Sequence, residues 1–179
     1  MLWHTRCSTW VMLSDSCCQF SNPLSDGAVD RLLADLRTVD ARAALGRVRQ
    51  DDLVPDIRRY GIAARYARFE LVSSDEELIV LIVWLPGQFS PAHDHGGSAC
   101  TFRIMRGLAT EQRFERAGDD RVSMIEEDRF LPGSIVSCDG QDIHALGNDR
   151  ANTEPLVTLH VYRPRPVMNE YRIGSGGES

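Results

Sequence analysis

The sequence predicts a mainly β protein, a barrel closed from two sheets with a small helical cap at its N-terminal end. Three observations lead there. Helical periodicity is confined to one stretch, Ser25 to about Arg49. From Gly61 onward the chain breaks into short runs that alternate or are wholly apolar. Frequent turn-forming clusters separate those runs, the pattern of sandwiches and barrels.

The elements follow in order. In SDGAVDRLLADLR, Ser25 or Asp26 is a cap candidate, and Val29, Leu32, Leu33 and Leu36 recur at helical spacing. A second helix carries Val39, Ala43, Ala44 and Val48, with the break near Thr38 to Asp40. Pro55 opens a segment read as a helical turn through Tyr60. The strand-like runs are then ARYARFELV, ELIVLIVWL, ACTFRIMRG, LATEQRFER, RVSMIEE, GSIVSCDG, DIHALGN, PLVTLHVYRP and EYRI. Between them lie SSDE, the loop LPGQFSPAHDHGGS, Gly107 and AGDD. Residues 23–173 are expected to form one domain, with helices over 23–60 and the barrel over 61–173. Residues 1–22 are expected to be disordered or an over-extended start, and 174–179 a flexible tail.

Composition bounds the function. A chain of 179 residues suits one domain with a real core, and 42% hydrophobic with 26% charged residues is ordinary for a soluble globular protein. A net charge of −6, with dispersed acidic residues, argues against nucleic acid or an anionic membrane as partner. No apolar run approaches the ~20 residues needed to span a bilayer. The first residues lack the apolar centre of a secretory signal. All 20 basic residues are arginine, which we read as codon bias. Cys7, Cys17, Cys18, Cys100 and Cys138 form an odd set without framework spacing, pointing to free thiols in a reducing cytoplasm. The expectation is a cytoplasmic monomer.

The candidate chemistry sits on histidines. His93 and His95 are two apart, so in an extended segment they share a face, a metal-ligand arrangement. His144, in the alternating run DIHALGN, is the third candidate, which barrel closure brings opposite the pair. Three imidazoles on one face leave coordination positions open. Thr158, His160 and Tyr162 also share a face, so that a hydroxyl orients an imidazole and the imidazole a phenol. His160 is therefore read as part of this relay and not as a ligand. Tyr66 and Arg68 alternate in ARYARFELV; if Arg68 points inward, its charge needs an anionic partner.

The pattern G-x5-H-x-H-x4-C-x6-G, from Gly87 through His93, His95 and Cys100 to Gly107, resembles the first motif of the cupin superfamily. His144 and Asn148, as H-x3-N, resemble the end of the second. Cys100, where typical cupins carry a glutamate ligand, makes the chain similar to the cysteine dioxygenase family of thiol dioxygenases. Tyr66-Ala67-Arg68, Trp84 and the run LVTLHVYRPRP extend the resemblance over roughly 60–166. Thr158 stands in place of the family's serine, and Arg163-Pro164-Arg165-Pro166 in place of its Ser-Pro-Pro.

The resemblance implies a cupin-type, jelly-roll-like barrel holding Fe(II) on His93, His95 and His144. It implies that Arg68, helped by Tyr66, binds the carboxylate of L-cysteine, and that Tyr162 serves the oxygen chemistry. It also implies a thioether crosslink between Cys100 and Tyr162. Three histidines by themselves suit zinc, nickel or copper as well. Relatives acting on 3-mercaptopropionate tend to carry glutamine where Arg68 stands and to use an arginine nearer the C-terminus. Arg163, Arg165 and Arg172 keep that reading open. A specialised pathway enzyme oxidising cysteine and a cupin that binds a metal or ligand without catalysis are the other readings.

Overall fold

The computed structural model describes residues 23–53 and 66–174. The turn expected at Pro55 to Tyr60, and the expectations for residues 1–22 and 175–179, lie outside these described residues. Helix α1 runs Asp26–Leu36 and α2 Ala41–Arg47, followed by a 3-10 turn at Gln50–Asp52. The break falls where the sequence places it. Asp40 caps α2, its carboxylate accepting from the Ala43 amide at 2.7 Å.

Ten strands follow among the described residues: β1 Ala67–Ser73, β2 Leu78–Trp84, β3 Ala92–Asp94, β4 Ala99–Arg106, β5 Ala109–Arg116, β6 Arg121–Phe130, β7 Ile135–Cys138, β8 Ile143–Gly147, β9 Leu156–Arg163 and β10 Asn169–Ile173. One sheet has the order β1-β2-β9-β4-β7, and the other closes on itself as β10-β3-β8-β5-β6. The closure comes from β10, antiparallel to β3 and parallel to β6. The predicted two-sheet barrel is therefore present. Among the described residues no helix is long and apolar enough to cross a membrane.

The central strands β2 and β9 are buried on both faces, which explains why LIVLIVW is a continuous apolar run. Ile79, Leu81 and Val83 of β2, with Val157, Leu159 and Val161 of β9, pack outward against Leu32, Leu36 and Leu45 of the helices. The alternate residues face inward. Val80, Ile82 and Trp84 meet Phe102 and Ile104 of β4 and Leu146 of β8 there. Arg103 ties cap to sheet, donating to the Leu45 carbonyl at 2.7 Å. Each buried aliphatic side chain contributes about 1.5–3 kcal/mol relative to exposure. Gly107 takes φ +79° at the β4–β5 turn, and a Cβ there would lie 2.6 Å from the Pro155 carbonyl oxygen. Glycine is needed on both counts.

Candidate metal centre and adjoining pocket

Alternation along β9 decides which side chains reach the interior. With Val157, Leu159 and Val161 committed to the helices, Thr158, His160 and Tyr162 face the opposite side, between the sheets. Cys100 of β4 is the register partner of Tyr162 and joins them.

From the other sheet and the turn after its strand β3 come the three histidines. His93 is the register partner of His144 on β8, so the two rings share a face. Past Asp94 the chain turns through Gly96 and Gly97, both at positive φ, and the Asp94 carboxylate accepts from the Gly96 amide at 2.8 Å. This turn delivers His95. The ring nitrogens of His93, His95 and His144 lie within 4.8 Å of one another. His93 Nδ1 donates to the Pro91 carbonyl at 2.9 Å, which leaves its Nε2 bare. His144 Nδ1 donates to Glu111 Oε1 at 2.7 Å, which leaves its Nε2 bare as well.

His144 Nε2 stands 3.2 Å from His95 Nε2. Two nitrogens each about 2.1 Å from a shared ion at tetrahedral or octahedral angles sit about 3.0–3.4 Å apart, so this spacing fits a metal ion. Burial, and secondarily the neighbouring His144, holds His93 down to about 4 and His95 down to about 3. Both rings are therefore neutral at pH 7, as ligation requires. His95 Nδ1 is buried without a hydrogen-bond partner among the described residues.

Beside the histidines runs a hydrogen-bond chain. Trp84 Nε1 can only donate, and it does so to Thr158 Oγ1 at 3.0 Å. The Thr158 hydroxyl, fully buried, then gives its own hydrogen to His160 Nε2 at 2.8 Å. That assigns the hydrogen of His160 to Nδ1, which faces Tyr162 Oη at 3.3 Å and Cys100 Sγ at 3.9 Å. Tyr162 thus keeps its own hydrogen to donate. Burial pushes the Tyr162 phenol and the Cys100 thiol up, and drives His160 well below its ordinary range, so all three are neutral.

The relay read from spacing is thus brought together, with Trp84 as an additional member at its head. Spacing alone assigned Trp84 no bond. Glu111, 1% exposed, was missed altogether: in ATEQRFER it reads as one polar residue of a solvated face. Only the position of His144 across the sheet makes its carboxylate an orienting group.

A cavity of about 150 Å³ opens from this site. Arg68 and Tyr66 line it together with His93, His144, His160 and Tyr162. Tyr66 packs on Trp84 with ring centroids 4.3 Å apart. Arg68 differs from the inward-pointing arginine considered above. Its side chain is 41% exposed and lies 3.5 Å from Glu70 Oε1, so it stands at the rim, where water covers part of its charge. Arg163 binds Glu77 at 2.9 Å, Arg165 reaches Ser73, and Arg172 lies 3.4 Å from Asp120. None of these three lines the cavity.

Two stacked sheets, one of them closed on itself, form the double-stranded β-helix of a cupin, and the three imidazoles that converge between them make a candidate metal site. An uncharacterized conserved protein with a double-stranded β-helix domain from Klebsiella pneumoniae has this fold. It is 17% identical at a TM-score of 0.50, covering 66% of this chain and 90% of that one. Residues 55–172 match the family model described as cysteine dioxygenase type I, and the chain belongs to that family. It is 27% identical over 113 residues to cysteine dioxygenase type 1 of Rattus norvegicus and 26% identical over 113 residues to that of Homo sapiens. Each match covers 56% of this chain and 56% of the relative, so the chain spans about half the length of the curated relatives it matches.

Proposed function

We propose that this chain is an Fe(II)-dependent thiol dioxygenase that adds both atoms of dioxygen to the sulfur of L-cysteine, giving cysteine sulfinic acid. One observation carries the reading: Arg68, His93, His144 and Tyr162 share a single cavity of about 150 Å³. A cavity of roughly that volume accepts a ligand as large as benzene, which is comparable with L-cysteine. His93, His95 and His144 would hold the iron, and the neutral donor set suits an anionic thiolate. Iron, when bound, supplies the activation of dioxygen and takes the substrate sulfur as thiolate.

The remaining work belongs to the protein. Arg68 takes the substrate carboxylate through its planar fork, and Tyr66 positions it. His160, held by Thr158, accepts no proton from Tyr162, so the phenol donates its hydrogen bond toward the reacting oxygen. The sulfur loses four electrons and the two oxygen atoms gain them, so no further reductant is needed. Cys100 and Tyr162, opposite one another in register, are the proposed partners of a thioether bond. That bond forms between Sγ and a ring carbon with loss of two hydrogens to dioxygen. Intact mass after turnover tests it, and an unchanged mass sinks it.

A C-terminal arginine as carboxylate partner is disfavoured, because Arg163, Arg165 and Arg172 have partners outside the cavity. A cytoplasmic monomer belongs to the same proposal, and light scattering on the purified protein tests the monomer. The deciding experiment is anaerobic reconstitution with Fe(II), then oxygen uptake and product mass with L-cysteine and 3-mercaptopropionate side by side. Sulfinate formed preferentially from L-cysteine, and sharply weakened by Arg68→Gln, supports the proposal. Preference for 3-mercaptopropionate, or no uptake by iron-loaded protein, overturns the substrate or the activity respectively.

A further inference from the structure

The cavity beside the histidines has two formally charged lining residues among the described ones, Arg68 on β1 and Glu170 on β10. Glu170 is the register partner of His93, and directly opposed residues of an antiparallel pair share a face. Glu170 therefore stands on the same wall of the cavity as His93. Its two neighbours are committed elsewhere. Asn169 donates to Asp94 Oδ1 at 2.8 Å and Tyr171 to Asp94 Oδ2 at 2.5 Å, which pins β10 to β3 from the other face. Alternation then turns Glu170 toward the cavity. Arg68 has Glu70 beside it, whereas the Glu170 side chain has no hydrogen bond or ion pair among the described residues.

We propose that Glu170 is a specificity-determining residue that recognises the amino group of the substrate, so that the cavity carries one cationic and one anionic anchor matched to a zwitterionic thiol. A carboxylate facing a small cavity is left with water as its partner until a ligand brings an N–H donor. An ammonium or amine supplies that donor, and a charge-assisted bond is the stronger kind. A thiol acid without an amine places no donor against Glu170 and no positive charge beside it. The rim position moderates the effect, since water screens it. The inference rests on the thiol dioxygenase reading for its choice of probes.

The test is calorimetric titration of the Fe(II)-loaded protein under anaerobic conditions with L-cysteine, cysteamine and 3-mercaptopropionate. Wild type is compared with Glu170→Gln. Glu170 is exposed, so the substitution leaves the core untouched, and an unchanged thermal midpoint verifies that. The expected result is a loss of affinity on the order of five- to tenfold for the two amines, with 3-mercaptopropionate moved by less than about twofold. Equal shifts for all three probes, no shift for any, or no binding of any probe by wild type overturns the inference. Oxygen uptake, measured separately, distinguishes the two readings. An amine-selective shift without turnover keeps Glu170's role and removes the dioxygenase assignment. Cysteine turnover with unselective binding does the reverse.

Discussion

Thr158→Val removes one hydroxyl and keeps the shape of the side chain nearly constant. That hydroxyl accepts from Trp84 Nε1 at 3.0 Å and donates to His160 Nε2 at 2.8 Å, in a position of zero exposure. Valine therefore leaves two buried ring nitrogens without partners. An unsatisfied buried group costs about 1–3 kcal/mol, so a total of about 3 kcal/mol is expected after partial relaxation. For a chain of this size that corresponds to about 6–12 °C in thermal midpoint. Thr158→Ser keeps the hydroxyl and deletes a methyl, costing about 1 kcal/mol. Thermal denaturation of the three proteins, followed by circular dichroism, reads both numbers. Oxygen uptake should fall further in the valine variant than in the serine variant, because His160 loses the bond that assigns its tautomer. If valine matches serine in stability and in turnover, the hydrogen-bond chain from Trp84 to Tyr162 is not what orders this wall.

Three further outcomes are expected. Glu111→Gln removes the charge that accepts from His144 Nδ1 at 2.7 Å and should weaken metal binding by about 10–100-fold; competition with a chelating dye measures it, and unchanged affinity would exclude the orienting role. In the metal-free protein, His93 and His95 are held down from 6.5 to about 4 and about 3, so below pH 6.5 the unfolded chain binds protons that the folded one refuses. Stability should therefore fall as pH drops from 6.5 to 4, by up to about 1.4 kcal/mol per unit for each imidazole, with His95 alone contributing between 4 and 3. Urea midpoints across that range should show a shallower slope in a His93→Asn/His95→Asn double variant; equal slopes would contradict this. Gly107→Ala places a Cβ 2.6 Å from Pro155 O at φ +79°, whereas Gly133→Ala at φ +92° meets nothing within 4 Å. The first should cost at least about 2 kcal/mol and the second about 1, and similar denaturant midpoints would show that the clash is relieved.

Legibility in the sequence followed how local each determinant is. The two helices and their break near Thr38 to Asp40 depend on periodicity and a capping aspartate, both local. β9 could be read because its polar residues sit two apart among aliphatics, which places Thr158, His160 and Tyr162 on one face by themselves. β3 was harder. Its three residues lie inside a stretch rich in proline and glycine, and it becomes a strand only by pairing with β8 and β10. Arg68 was legible as a cavity residue through its motif but not in its exposure, because the sequence does not reveal where the rim falls. Glu111 and Glu170 look like surface carboxylates along their own strands. What distinguishes them is the partner across the sheet, His144 in one case and His93 in the other, and such pairings are non-local.

The interleaving on β9 has a consequence for precision. Thr158, His160 and Tyr162 alternate one for one with Val157, Leu159 and Val161, and the latter are immersed among the helices. A slip of one residue against β2 and β4 would exchange the two sets, driving a hydroxyl, an imidazole and a phenol into hydrocarbon. The strand therefore has no gentle way to drift. Its aliphatic half acts as a ratchet pawl for its polar half, and the spacing of the relay is set in whole steps by packing on the face of the sheet turned away from the cavity.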